Sequence, residues 1–165
     1  MTGARLMAQP LTAAAFAPYG DVLEVAGTPD RMINAGLCGR FHDRARLEFV
    51  DGRAGISLFD AEARHLPYAL DLMERHPLGS QAFIPLDGVP MLICVAADDG
   101  GRPSEVRAFL SQPGQGINLL RSVWHGVLAP IGCAGRYAVI DRIGPGDNLE
   151  EVRFDQPLTI EGPRP

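Results

Sequence analysis

The stretch Glu74-Arg75-His76-Pro77-Leu78-Gly79-Ser80-Gln81-Ala82-Phe83-Ile84-Pro85-Leu86-Asp87-Gly88 lies between two apolar runs. It carries polar, metal-capable groups where a buried strand would be apolar. Glu74 and His76 are two residues apart, so on an extended strand both side chains point to one face. Gln81 follows a Pro-Leu-Gly turn, and the apolar run Ala82-Phe83-Ile84 leads to a second turn signal, Asp87-Gly88. Strand, polar corner and strand follow one another, with Glu74, His76 and Gln81 at the corner.

Working outward, the rest of the 165 residues reads as more of the same. With 19 Gly and 14 Pro the chain is too rich in breakers for a helical bundle, and a hydrophobic fraction of 46% excludes a disordered one. Thr12 N-caps a short helix over 13–17, and a first strand follows over 21–26. Further strand-sized pieces fall at 55–59, 68–74, 80–86, 91–97, 106–110, 116–120, 126–130 and 136–141, about ten residues apart, as in a sandwich or barrel. The segment 34–43 is polar and irregular and reads as a loop or barrel rim, where site residues tend to sit. The tail from 149 packs one last strand. Neither a phosphate loop nor strand–helix alternation supports a dinucleotide fold. The expectation is one all-β domain spanning residues 1–165.

The formal charge of −5 and the lack of Lys/Arg clusters interleaved with aromatics argue against nucleic acid as a partner. An anionic substrate would need local arginines, and Arg40, Arg75, Arg107, Arg121 and Arg142 lie near polar motifs. Three cysteines, Cys38, Cys94 and Cys133, show no C-x-x-C spacing and imply a reducing cytoplasm, two of them packing as small hydrophobes. The apolar stretch 11–17 is too short for a signal-peptide core, and 91–97 is far below membrane-spanning length.

Glu74-x-His76, four residues, Gln81, six residues and Gly88, with Trp124-His125 later, resembles the paired metal-binding motifs of the cupin superfamily. In that superfamily the positions of Glu74 and Gln81 are usually His and Glu. The resemblance implies a β-barrel of the double-stranded β-helix type. More specifically, Tyr19-Gly20-Asp21-Val22, Ile33-Asn34-x-Gly36-Leu37, Arg40-x-His42-Asp43, residues 74–85, Arg107-Ala108-Phe109, Gly116-x-Asn118, Val123-Trp124-His125 and Ile140-Asp141-Arg142 resemble the ureidoglycolate lyase family in order along the chain. Members of that family cleave (S)-ureidoglycolate to glyoxylate and urea, and the resemblance implies that reaction and a homodimer here. Where a relative carries a second His after the motif-two His, this chain has Gly126.

The reaction needs an anchored carboxylate, a base for the hydroxyl and a proton for the departing urea nitrogen. Glu74, His76 and His125 are the candidate catalytic residues, and Asn34, Arg40, His42, Gln81 and Arg107 the candidate substrate contacts. Glu74, His76, Gln81 and His125 also form a mixed N/O donor set suited to a divalent Ni, Mn, Zn or Fe, with a metal-free acid–base pair as the rival reading. Gln81 brings no charge to offset an ion. Plainer roles stand beside these: Glu74 as a surface charge, Gln81 as a hydrogen-bonder within the barrel, His125 as a satisfied core imidazole, and residues 34–43 as an ion-paired loop. A sugar isomerase and a non-catalytic carboxylate-binding cupin are the alternative functions.

Overall fold

The computed structural model describes residues 4–163. In chain order the elements are β1 (Arg5–Met7), β2 (Gln9–Pro10), α1 (Ala13–Phe16), β3 (Gly20–Leu23), β4 (Arg31–Ile33), β5 (Cys38–Arg40), β6 (Arg53–Ala61), β7 (Tyr68–Arg75), β8 (Gln81–Pro85), β9 (Met91–Asp99), β10 (Arg102–Leu110), β11 (Gly116–Leu119), β12 (Trp124–His125), β13 (Ala129–Pro130), β14 (Gly135–Ile143) and β15 (Glu150–Glu161). One sheet runs β1-β15-β7-β12-β9-β10-β2 with β13 on β9, a second runs β3-β11-β8-β14-β6, and β4-β5 form a separate hairpin. The first sheet curls far enough for β10 to meet β1 and β15, giving a nearly closed, cupin-like β-barrel.

Strand β9 decides how the layers stack. Met91, Ile93 and Val95 enter a core shared by both sheets, with Phe83, Ile117, Leu119, Tyr137 and Val139 from the second sheet. Leu92, Cys94 and Ala96, on the other face, enter a core held within the curl of the first sheet, with Leu70, Met73, Trp124 and Ile160. Both faces of β9 are therefore dry, which explains an apolar run without alternation. Burial pushes the Cys94 thiol up to about 12, leaving it an inert hydrophobe. Cys38 and Cys133 are exposed, so only one of the three cysteines packs as the sequence suggests.

Thr12 caps α1 as expected, its Oγ1 accepting from Ala15 N at 3.2 Å. Three elements differ from the sequence reading. The segment expected as an irregular loop forms the β4-β5 hairpin, turned through Asn34 and Ala35 at φ 53° and 55°. The expected strand 126–130 shortens to β13 at its end, and a separate two-residue strand before it, β12, carries His125. Short β1 and β2 were too brief for periodicity to reveal, and both pair in parallel with strands distant in sequence.

The outer face of the second sheet is apolar and uncovered. Ile56 and Leu58 on edge strand β6 are 73% and 75% exposed. They align with Ile140 and Ala138 of β14, and Ala138 in turn with Ile84 of β8. Inside, Phe109 is fully buried against Phe16 at 5.7 Å in an edge-to-face pair. Phe109→Ala should therefore destabilise the protein by about 3–5 kcal/mol in urea titrations.

Candidate active site

Strand β12 is only two residues long and is wedged between β7 and β9, pairing with both. Its residues point to opposite faces. Trp124 faces the inner curl, where its Nε1 donates to Asp98 Oδ1 at 2.7 Å and the Arg75 guanidinium stacks 4.5 Å over its ring. Arg75 also bonds Asp98 Oδ1 and Glu150 Oε2, at 2.8 and 2.6 Å. Arg75, one of the arginines near polar motifs, is thus a structural clamp. With Trp124 held, His125 must face the shared core, directly opposite Glu74 on β7.

One ligand atom each from Glu74, His76 and His125 can be chosen so that all lie within 4.8 Å of one another. His76 Nε2 is 3.8 Å from Glu74 Oε1, and the two imidazole centroids are 5.2 Å apart. Each ring is aimed by a backbone carbonyl: His76 Nδ1 meets Asn148 O at 2.8 Å, and His125 Nδ1 meets Gly126 O at 3.1 Å. A carbonyl only accepts, so each Nδ1 must carry a proton, and the neutral ring then presents its lone pair at Nε2. Both Nε2 atoms are buried and without a hydrogen-bond partner, as is Gln81 Oε1. Orphaned buried acceptors are costly unless something fills them.

The electrostatics agree. Burial, reinforced by the neighbouring His76, lowers the His125 pKa to about 4, so this imidazole is neutral near pH 7. Burial raises the Glu74 pKa, assisted by Glu151 and opposed by His76. A neutral His125 beside a second imidazole and a half-desolvated carboxylate suits either a divalent cation or a proton shuttle. The donor set fits a metal: two Nε2 lone pairs with fixed tautomers, one carboxylate and one further buried amide oxygen.

Glu74 and Gln81 line an open cleft of about 530 Å³ together with Phe59, Asp60, Arg64 and Leu128. Gln81 reaches it from β8 on the facing sheet. The other expected substrate contacts stand elsewhere in the single chain. Arg107 pairs with Val95, which pairs with His125, so it sits on the same rung but beyond Val95 and outside the cleft lining. Asn34, Arg40 and His42 are exposed on or beside the β4-β5 hairpin, where His42 N donates to Asp30 Oδ2 at 2.8 Å. Sequence reasoning missed Asn148, whose carbonyl meets His76 and whose Oδ1 accepts from Leu78 N at 2.7 Å, because it lies far from the motif in sequence. It also missed Arg64, which precedes the motif by ten residues in a connection between strands.

Gly126 marks a further departure. A Cβ there would approach Leu70 Cδ1 at 3.1 Å and Cys94 Cβ at 3.3 Å, both members of the inner-curl core. A side chain at this position would start toward that core, on the face opposite His125.

In the metal-free protein, His125 should make stability pH-dependent. Its folded pKa lies below the unfolded value of about 6.5, so the unfolded chain binds the extra proton first and stability falls as pH drops from there towards 4. The loss is on the order of 3 kcal/mol. Glu74, with its pKa raised, works in the opposite sense, so the His125 contribution is the difference between wild type and His125→Gln. Urea unfolding at pH 7 and pH 4.5 should show the variant losing less stability.

Comparison with known proteins places this architecture in context. A family model described as ureidoglycolate lyase matches residues 3–161. The chain is 69% identical over 159 residues to the ureidoglycolate lyase of Rhodobacter capsulatus, covering 96% of this chain and 99% of that one. It is 48% identical to ureidoglycolate lyase 2 of Rhizobium meliloti, over 93% and 95% of the two chains. A ureidoglycolate lyase of Chelativorans sp. is 46% identical, over 96% and 98%. On the ordered motifs, the barrel and these matches, the chain belongs to the ureidoglycolate lyase family.

Proposed function

We propose that the protein is a carbon–nitrogen lyase that cleaves (S)-ureidoglycolate to glyoxylate and urea, a step of allantoin and hence purine breakdown. The observation that carries this reading is the convergence of Glu74, His76 and His125 within 4.8 Å beside an open cleft, in a chain whose relatives bear that activity in their names. In the reaction the hydroxyl proton of the substrate leaves, its O–H electrons become the new C=O bond, and the C–N bond breaks toward urea. The urea nitrogen then takes up one proton.

Glu74 is the residue placed to move that proton. Its raised pKa lets one oxygen accept from the hydroxyl and return the proton to the departing nitrogen. His125, neutral near pH 7, accepts hydrogen bonds or ligates rather than acting as an acid. Glu74, His76 and His125, with Gln81 Oε1 nearby, are the groups that would hold a divalent Ni, Mn or Zn. When bound, such an ion supplies Lewis-acid polarisation of the substrate's hydroxyl and carboxylate oxygens. The apolar rim of Phe59, Phe83, Val127 and Leu128 limits water around the reacting carbon.

Incubating the pure protein with racemic ureidoglycolate and following glyoxylate by a coupled reductase tests the reading. Glyoxylate should form well above the spontaneous rate and stop at half conversion. His76→Ala and His125→Ala should each lower kcat/KM by about 10²-fold or more while keeping the fold. In the ion-free protein the acid limb of the kcat/KM profile should lie above the ordinary Glu range and vanish in Glu74→Gln. Equilibrium dialysis should find one divalent ion per chain, lost in His76→Ala. A rate no greater than the spontaneous one, with and without added metal, would remove the lyase reading.

The homodimer implied by the family resemblance is part of this proposal, and the cytoplasm is its proposed location. Edge strand β6, with Ile56 and Leu58 exposed beside Ile140 and Ile84, offers a flat apolar face that a second copy would cover. Light scattering should give twice the chain mass, and Leu58→Asp should shift it towards one.

A further inference from the structure

We propose that Arg64 is the residue that anchors the substrate's carboxylate, an inference that rests on the lyase reading for its substrate. The cleft that holds Glu74 and Gln81 has a single basic residue in its lining, Arg64. Its backbone is fixed at the rim: Arg64 N donates to Pro130 O at 2.7 Å, and Arg64 O accepts from Gly132 N at 3.2 Å. Its guanidinium, by contrast, makes no hydrogen bond or ion pair among the described residues. Asp60, an acidic residue of the same lining, is exposed and does not pair with it.

Most other arginines near the motifs are already engaged. Arg75 is clamped between Asp98 and Glu150 on the opposite face of the sheet. Arg142 is buried and gives its guanidinium to the carbonyls of Val50, Asp51 and Pro145. Arg46 and Arg121 pair with Asp21 and Glu48 around a different cleft. Arg107 lies beyond Val95 and outside this one.

The site also needs such a cation. Glu74 and Asp60 are both acidic, and the chain's formal charge is −5, so the general field repels an α-hydroxy acid. A guanidinium offers two parallel N–H groups to a carboxylate, fixing orientation as well as charge. Its fixed backbone and flexible stem let Arg64 swing over the rim. It would hold the carboxylate end while the hydroxyl and urea nitrogen face Glu74 and the imidazoles.

Calorimetric binding of glycolate and of its neutral analogue glycolamide, on the intact protein, separates this role from a structural one. Arg64→Gln should weaken glycolate about 10- to 100-fold and leave glycolamide within about twofold. Arg64→Lys should recover part of the loss. With ureidoglycolate, Arg64→Gln should raise KM far more than it lowers kcat. Arg153→Gln, which removes the same charge from an exposed residue paired with Asp71, should change neither. The proposal is overturned if Arg64→Gln binds glycolate as wild type does, if glycolate and glycolamide weaken equally, if Arg153→Gln has the same effect, or if the wild type binds no glycolate. A wild type that binds glycolate through Arg64 yet forms no glyoxylate from ureidoglycolate would sink the lyase reading alone.

Discussion

The site depends on how one tryptophan is held. β12 is a two-residue strand, and alternation leaves it no freedom: whichever way Trp124 points, His125 points the other. Asp98, Arg75 and the inner-curl core fix Trp124 on its side. His125 is thereby driven into the barrel opposite Glu74, where its own burial would otherwise be unfavourable. A tryptophan in this position costs little in side-chain entropy and buries a large ring, so the aim of the imidazole is secured by packing on the far face. The same β7 residues alternate likewise, with Glu74 turned in and Arg75 turned back to brace Trp124.

The second determinant is the backbone carbonyl behind each imidazole. Asn148 O and Gly126 O set the tautomers, and both Nε2 lone pairs converge without any charged partner to define them. Carbonyls impose no titration of their own. His125 stays neutral near pH 7, and Glu74 remains the group whose protonation the site can use.

What the sequence made legible follows from period and turn chemistry. Glu74 and His76 share a face because they are two apart in an extended segment, and Pro77 to Gly79 ends the strand, so Gln81 returns on β8 of the facing sheet. That His125 would meet them needed strand pairing across about 50 residues, and only the ordered family motifs supplied it. The hairpin of β4 and β5 was hidden because its turn uses Asn34 and Ala35 in left-handed conformations, and alanine carries no turn signal. Arg64 was hidden for a different reason: it lies in the connection between β6 and β7, and nothing local shows that Pro130 of β13 holds it at the rim.

The seam of the first sheet joins β1 to β15, Arg5 aligning with Thr159 and Met7 with Glu161. β15 also flanks the site, since Glu151 lies across from Glu74 and the Asn148 carbonyl directly precedes it. The barrel therefore cannot shut, and His76 cannot be oriented, until β15 has folded against β1 and β7. Until then the first sheet stays open, with the buried faces of strands β7 and β9 in need of protection.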